Sequence, residues 1–175
     1  MEGKFFSIEQ SNVLDDLIAS GDEYAKAIRT LVIAGAGDKC ASDEQTTVDN
    51  ALELLAVDQD NLLLYSYWYE IDEAEKEKWL AEYEYSIDRN DENDVFQAWQ
   101  SVVADHNQME LGKIAVCEFK KRLAFLFNEL CRSTGMKKSA LAAACGRTNA
   151  MFSRYCSGIA PVPRLIWEKV ESFKK

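Results

Sequence analysis

The chain has only two prolines, Pro161 and Pro163, so 160 consecutive residues precede the first one. Proline removes a backbone donor and clashes with the preceding helical turn. A long proline-free stretch with little strict apolar–polar alternation therefore reads as helix rather than strand. Near the start Val13, Leu14, Leu17 and Ile18 share a helical face, and Gly21 follows as a stop. Asp22 opens a second segment carrying Tyr24, Ile28, Leu31 and Val32, which ends at Gly35-Ala36-Gly37. Ser42 with Gln45 reads as a capping box before Val48, Ala51, Leu54 and Leu55. A helix over 72–87 carries Leu80, Tyr83 and Ile87 on one stripe. The apolar and aromatic run 62–71 fits a buried helix and a short strand equally. After the polar break 90–94, Asp94 is placed to cap a helix through Phe96, Trp99 and Val103. Phe119, Leu123, Leu126 and Leu130 predict a long helix to about Ser133, stopped by Gly135, with Lys120, Lys121 and Arg122 on its solvent side. Three short helical segments follow, and Pro163 opens a last amphipathic helix with Leu165, Ile166, Val170 and Phe173. The expected fold class is all-α, with no internal repeat.

Composition narrows the function classes. The 175 residues are 47% hydrophobic and 29% charged, as in a folded globular protein. No apolar run approaches the roughly 18 residues of a membrane helix, and the N-terminus lacks the plan of a secretory signal. The five cysteines, Cys40, Cys117, Cys131, Cys145 and Cys156, are scattered, odd in number and without a CxxC. They fit reduced thiols in a cytoplasmic protein better than a disulfide framework. The single histidine, His106, supplies a zinc site or a His-based triad poorly, and its polar surroundings predict an exposed, inert side chain.

Charge is distributed unevenly. Residues 1–110 hold 26 acidic and 7 basic side chains, a net −19, whereas 111–175 hold 4 acidic and 13 basic ones, a net +9. Such asymmetry points to a nucleic-acid partner for the basic part. The expected organisation is an acidic helical domain over 1–110 and a second domain over 111–175.

Within the basic part, 137–158 has the anatomy of a helix-turn-helix. Leu141 supplies an apolar contact, and Ala142 is small enough for two helices to cross closely. Gly146 tolerates the positive φ of a tight turn. Thr148 is a capping residue for the next helix, Phe152 points inward, and Gly158 releases the chain. Leu141-Ala142, then Gly146, Phe152-Ser153 and Gly158 resemble the lambda-repressor and Cro-like helix-turn-helix family. The stretch 119–173 looks like its whole five-helix module, a C-terminal third of the chain. The tail Pro161-Val162-Pro163 leading to Trp167-Glu168 is similar to small prophage-type regulators of that kind. Arg147 departs from the pattern by standing where relatives carry an apolar residue, and the module lies behind an acidic domain rather than first.

The resemblance implies roles residue by residue. Lys138 falls where family members grip a phosphate at the start of the first motif helix. The recognition helix is then 148–157, with Thr148 and Ser153 on it. Asn149, Ala150 and Arg154 fall on the face that meets base edges in the major groove. Asparagine pairs with adenine, arginine with guanine, and alanine touches a thymine methyl. Ser157 occupies a backbone-contact position, and Lys137 and Arg147 lie near enough to neutralise phosphates. Family members bind double-stranded DNA as homodimers on two half-sites roughly 34 Å apart. The resulting expectation is a sequence-specific transcriptional regulator, a repressor, with no cofactor and no metal.

Competing readings attach to the remaining features. The helix-turn-helix can instead be a docking platform, with the acidic domain binding a protein partner as a nucleic-acid mimic or in a toxin-neutralising regulator. The acidic domain has three candidate roles: oligomerisation, partner or effector binding, and masking of the basic module. Its aromatics Tyr65, Tyr67, Trp68, Tyr69, Trp79, Tyr83 and Tyr85 read as core and interface area, since a −19 field repels nucleic acid. Cys145 and Cys156 flank the recognition helix, where oxidation would disturb binding, although a free cysteine is more commonly a small buried hydrophobe. Glu73 and Glu77 read as a solvated helix face, and Gly35-Ala36-Gly37 lacks the strand and spacing of a phosphate loop. No assembled catalytic site is legible, so the chain does not read as an enzyme.

Overall fold

The computed structural model describes residues 5–36, 42–82 and 87–175, with the backbone alone over 42–46. Cys40, Gly37, Tyr83, Tyr85 and the Ser42–Gln45 side-chain pair lie outside the described residues. The described residues form eight α-helices and one 3-10 turn, with no strand: α1 (Ile8–Ala19), α2 (Glu23–Gly35), α3 (Ser42–Leu54), the 3-10 turn (Tyr65–Tyr69), α4 (Glu73–Glu82), α5 (Glu92–Ser133), α6 (Lys138–Ala144), α7 (Asn149–Cys156) and α8 (Arg164–Glu171). The chain divides into two compact units, Met1–Ala115 and Val116–Lys175. The division falls inside α5, five residues past Glu110.

In the first unit, α1 begins with a capping box. Ser7 Oγ accepts from Gln10 N at 3.2 Å while Gln10 Oε1 accepts from Ser7 N at 2.9 Å. Asp22 caps α2 as its sequence position predicts, its Oδ1 accepting from Ala25 N at 3.0 Å. α2 packs against α1 and α3, burying Leu14, Ile28, Leu31, Val32, Val48 and Leu52, while Val13, Tyr24 and Leu54 stay exposed. A second cluster forms around Trp99, which is wholly buried with Leu80, Val102 and Val103. Trp68 lies against the Trp99 ring at 5.1 Å, and Trp79 meets it edge-on at 6.4 Å. The ambiguous run 62–71 thus resolves into a 3-10 turn rather than a helix or strand, with Tyr67 and Trp68 laid against the Trp99 ring.

Three sequence expectations do not hold. The helices predicted around 94–103 and from Phe119 are one 42-residue helix, since nothing between them breaks it except Gly112, whose cost as an interior glycine is only about 1 kcal/mol. Asp94 lies inside that helix; Asp91 Oδ1 accepts from Asn93 N at 2.9 Å and does the capping. His106, expected to be exposed, is partly buried with its ring edge-on to Trp79 at 5.3 Å. Of the carboxylates read as solvated, Glu73 pairs with Lys76 and Glu77 with Arg89. No helix among the described residues is long and apolar enough to cross a membrane.

Candidate nucleic-acid interface

The second unit is built around Phe127, at 0% exposure, near the end of α5. Its ring meets Phe152 of α7 at 5.5 Å, Tyr155 at 6.5 Å and Trp167 of α8 at 5.3 Å. Leu141 and Ala142 of α6, Ile166 and Val170 of α8, and Cys131 and Cys156 complete this core. Burying each large apolar side chain contributes roughly 1.5–3 kcal/mol, so the three short helices are held by packing rather than by their own propensity. The predicted stripe is displaced by one residue. Phe119 is buried as expected, but beyond it Phe127 and Cys131 are the buried positions while Leu123, Leu126 and Leu130 are only partly covered. Leu165 is 78% exposed and lies outside the apolar face of α8. Pro163 is the N-cap of α8 rather than its first residue. The segment 119–173 contains four helical pieces rather than five, because 157–163 forms turns and bends.

The turn between α6 and α7 follows from three residues. Gly146 takes φ +65°, and its N–H donates to Ala143 O at 3.0 Å while Arg147 N donates to Ala142 O at 2.9 Å. Those two bonds are the Schellman closure of a helix C-terminus. Arg147, the departure from the family pattern, thus closes the turn through its backbone and leaves its side chain exposed. Thr148 Oγ1 accepts from Met151 N at 3.2 Å, so α7 is capped where expected. Gly158 takes φ +76°, and a Cβ there would sit 3.3 Å from Ala124 Cβ and 3.4 Å from Lys120 O, so both the bend and the close approach to α5 require glycine.

The nine residues read as a DNA-binding set, Lys137, Lys138, Arg147, Thr148, Asn149, Ala150, Ser153, Arg154 and Ser157, are all exposed. On α7 the division is clean: Phe152, Tyr155 and Cys156 face the core, while Asn149, Ala150, Ser153 and Arg154 are exposed. Ser157 caps the helix end, its Oγ donating to Arg154 O at 3.2 Å. An open cavity of about 380 Å³ brings Lys138, Ser153 and Ser157 together with Phe125, Asn128 and Arg132 of α5. Those three α5 residues, and the exposed Met151, were not singled out by the motif, which stops short of α5.

Ion pairing sorts the cations. Lys121 pairs with Glu118 at 2.8 Å, Arg132 with Glu129, and Arg164 with Glu168 at 2.8 Å. Glu118 also raises the Lys121 pKa by hydrogen bond and charge. Lys137, Lys138, Arg147 and Arg154 have no carboxylate partner among the described residues. The second unit holds 12 basic and 4 acidic residues, a net +8, and the unneutralised part of that charge includes all four motif cations.

The thiols are placed as hydrophobes. Cys131 and Cys156 are buried in contact with one another, Cys145 is half-buried and Cys117 is exposed. Burial, reinforced by Cys156, pushes the Cys131 thiol up to about 12, and burial also raises Cys145. Among the described residues no group of three or more His, Cys, Asp or Glu is arranged to hold a metal ion. Comparison with known protein families, curated proteins and solved structures finds no match.

Proposed function

We propose that the second unit binds double-stranded DNA in a sequence-specific manner, with α7 in the major groove, and that the protein is a transcriptional regulator acting as a repressor. The observation that carries this reading is the coincidence of two independent properties on one surface. The helix-turn-helix faces outward with an exposed polar recognition face, and the cations left without a carboxylate among the described residues include all four of the motif, beside Lys120, Lys169, Lys174 and Lys175. A packing-only hairpin has no need to keep Lys137, Lys138, Arg147 and Arg154 unpaired while the neighbouring Arg132 is neutralised.

Each residue then has a separate task. Lys137, Lys138 and Arg147 neutralise phosphates and fix the register without reading sequence. Asn149 and Arg154 read an adenine and a guanine edge, and Ala150 meets a thymine methyl. Ser153 donates to the DNA backbone beside it, and Ser157 does so once its hydroxyl proton turns away from the Arg154 carbonyl. Two copies of the chain on paired half-sites about one helical turn apart double the contacts.

Selection of bound sequences from a random duplex library tests the reading. The full-length protein enriches a paired half-site, and Arg154→Ala loses the guanine preference at one position of each half, about 1–3 kcal/mol of discrimination, while retaining non-specific affinity. Enrichment of nothing, or identical preferences for the variant, overturns it.

A further inference from the structure

In the first unit, three side chains of α5 hold the backbone just ahead of the 3-10 turn. Asn107 Oδ1 accepts from Leu63 N at 2.7 Å while its Nδ2 donates to Leu63 O at 2.9 Å. His106 Nε2 lies 2.9 Å from Asn61 O, and Trp99 Nε1 donates to Tyr65 O at 3.0 Å. Segment 61–65 is therefore pinned at three successive alternate residues by side chains from one rigid helix. Such a scaffold normally serves to place something.

What it places outward is apolar. Leu64 is 70% exposed and Tyr65 54%, and Tyr69 at the far end of the adjoining 3-10 turn is 78% exposed. Scattered exposed apolar residues need no explanation, but a group of them on one fixed segment marks a contact surface. The same segment borders an open cavity of about 280 Å³ lined by Leu64, Tyr67 and Trp79, with Asp60 and Glu70 also in its lining. Trp79 keeps its indole N–H buried and without an acceptor among the described residues.

The charge around this surface selects the partner. Residues 58–79 hold seven carboxylates and two bases, Lys76 and Lys78. Lys76 is occupied by Glu73 at 3.0 Å and by the face of Trp68 at 5.0 Å. Asp60 and Glu70 have no cationic partner among the described residues. A nucleic acid or a second copy of this surface would bring like charge to like charge. Exposed tyrosine faces beside free carboxylates favour Lys and Arg instead.

We propose that this surface docks a basic peptide segment of a protein partner, an apolar side chain of which enters the cavity lined by Leu64, Tyr67 and Trp79 while its Lys or Arg residues pair with Asp60 and Glu70. Because segment 61–65 is held before any partner arrives, little ordering entropy opposes docking. The site stands whether or not the second unit binds DNA.

Fluorescence anisotropy with the full-length protein tests it. One probe is a labelled peptide of interspersed lysine and leucine, and the other has the same charge with serine in place of leucine. At near-physiological salt, where bulk attraction is screened, the leucine probe binds at least about tenfold more tightly. Leu64→Ala with Tyr69→Ala abolishes that advantage and leaves the serine probe unchanged; both positions are exposed, so the fold is kept, as circular dichroism checks. Asp60→Asn with Glu70→Gln weakens both probes more than the distant pair Glu9→Gln with Glu53→Gln. Equal affinity for the two probes, or no effect of the Leu64 and Tyr69 changes, leaves only bulk electrostatics and overturns the proposal. Self-association in sedimentation velocity that the same double change abolishes also overturns it, by assigning the surface to a second copy.

Discussion

Asn128 Nδ2 donates to the carbonyl of Cys156 at 2.6 Å, and to the carbonyl of Ala124 at 2.8 Å within its own helix. The first bond ties the last residue of α7 to α5, at the end of the helix that carries Arg154. The axis of the proposed recognition helix is therefore set by one amide as well as by the Phe127–Phe152 contact.

Asn128→Leu keeps similar bulk but leaves the Cys156 carbonyl unpaired. The expected cost is about 1–3 kcal/mol of stability, read by urea denaturation. DNA affinity falls further than stability alone dictates, because α7 then loses its fixed direction. Unchanged binding by a destabilised Asn128→Leu protein would show that the clamp serves folding only.

The Cys131 thiol gives a pH dependence with a defined sign. In the unfolded chain it ionises at its ordinary value of 9.0, whereas in the fold it stays neutral up to about 12. The folded state thus binds a proton that the unfolded state releases, and stability is present in full below pH 9 and lost as pH rises toward 12. Denaturation across that range declines less steeply for Cys131→Ala, although its plateau is lower from the cavity left behind. At neutral pH, iodoacetamide labels the exposed Cys117 and spares Cys131, and rapid labelling of Cys131 in the folded protein would contradict its placement.

Gly35 at the end of α2 and Gly112 inside α5 are in close approach. A Cβ on Gly35 would lie 2.7 Å from Gly112 N. Gly112→Ala improves helix propensity by about 1 kcal/mol but forces Phe5, whose ring a Cβ there would overlap, out of place. The expected net effect is destabilisation of about 1–3 kcal/mol, as for other overpacked cores. A thermal melt that rises on Gly112→Ala would show that the Phe5 ring moves aside without cost.

The parts of this protein that were legible in its sequence are those decided locally. Gly21 and Gly146 take positive φ, and Asp22 and Thr148 cap their helices, because each of these depends on a residue and its neighbours within one turn. What was not legible depends on partners distant in the chain. Gly35 read as a stop, yet its packing against Gly112 shows only in three dimensions. His106 read as exposed and inert, whereas it and Asn107 bind Asn61 and Leu63, about 45 residues away. The same holds for the candidate interface. The motif named nine exposed residues, but Arg132 and Asn128 join them only because α5 runs beside α7.

Whether the unpaired motif cations meet DNA phosphates is tested most directly by the salt dependence of binding. With the full-length protein and a mixed duplex, log affinity falls linearly with log salt, each neutralised phosphate contributing about −0.9 to the slope. Lys137, Lys138 and Arg147 together account for about −2.7 per copy of the chain, and Lys138→Gln flattens the slope by about 0.9. Absence of binding at low salt, or a slope that Lys138→Gln leaves unchanged, would contradict the account.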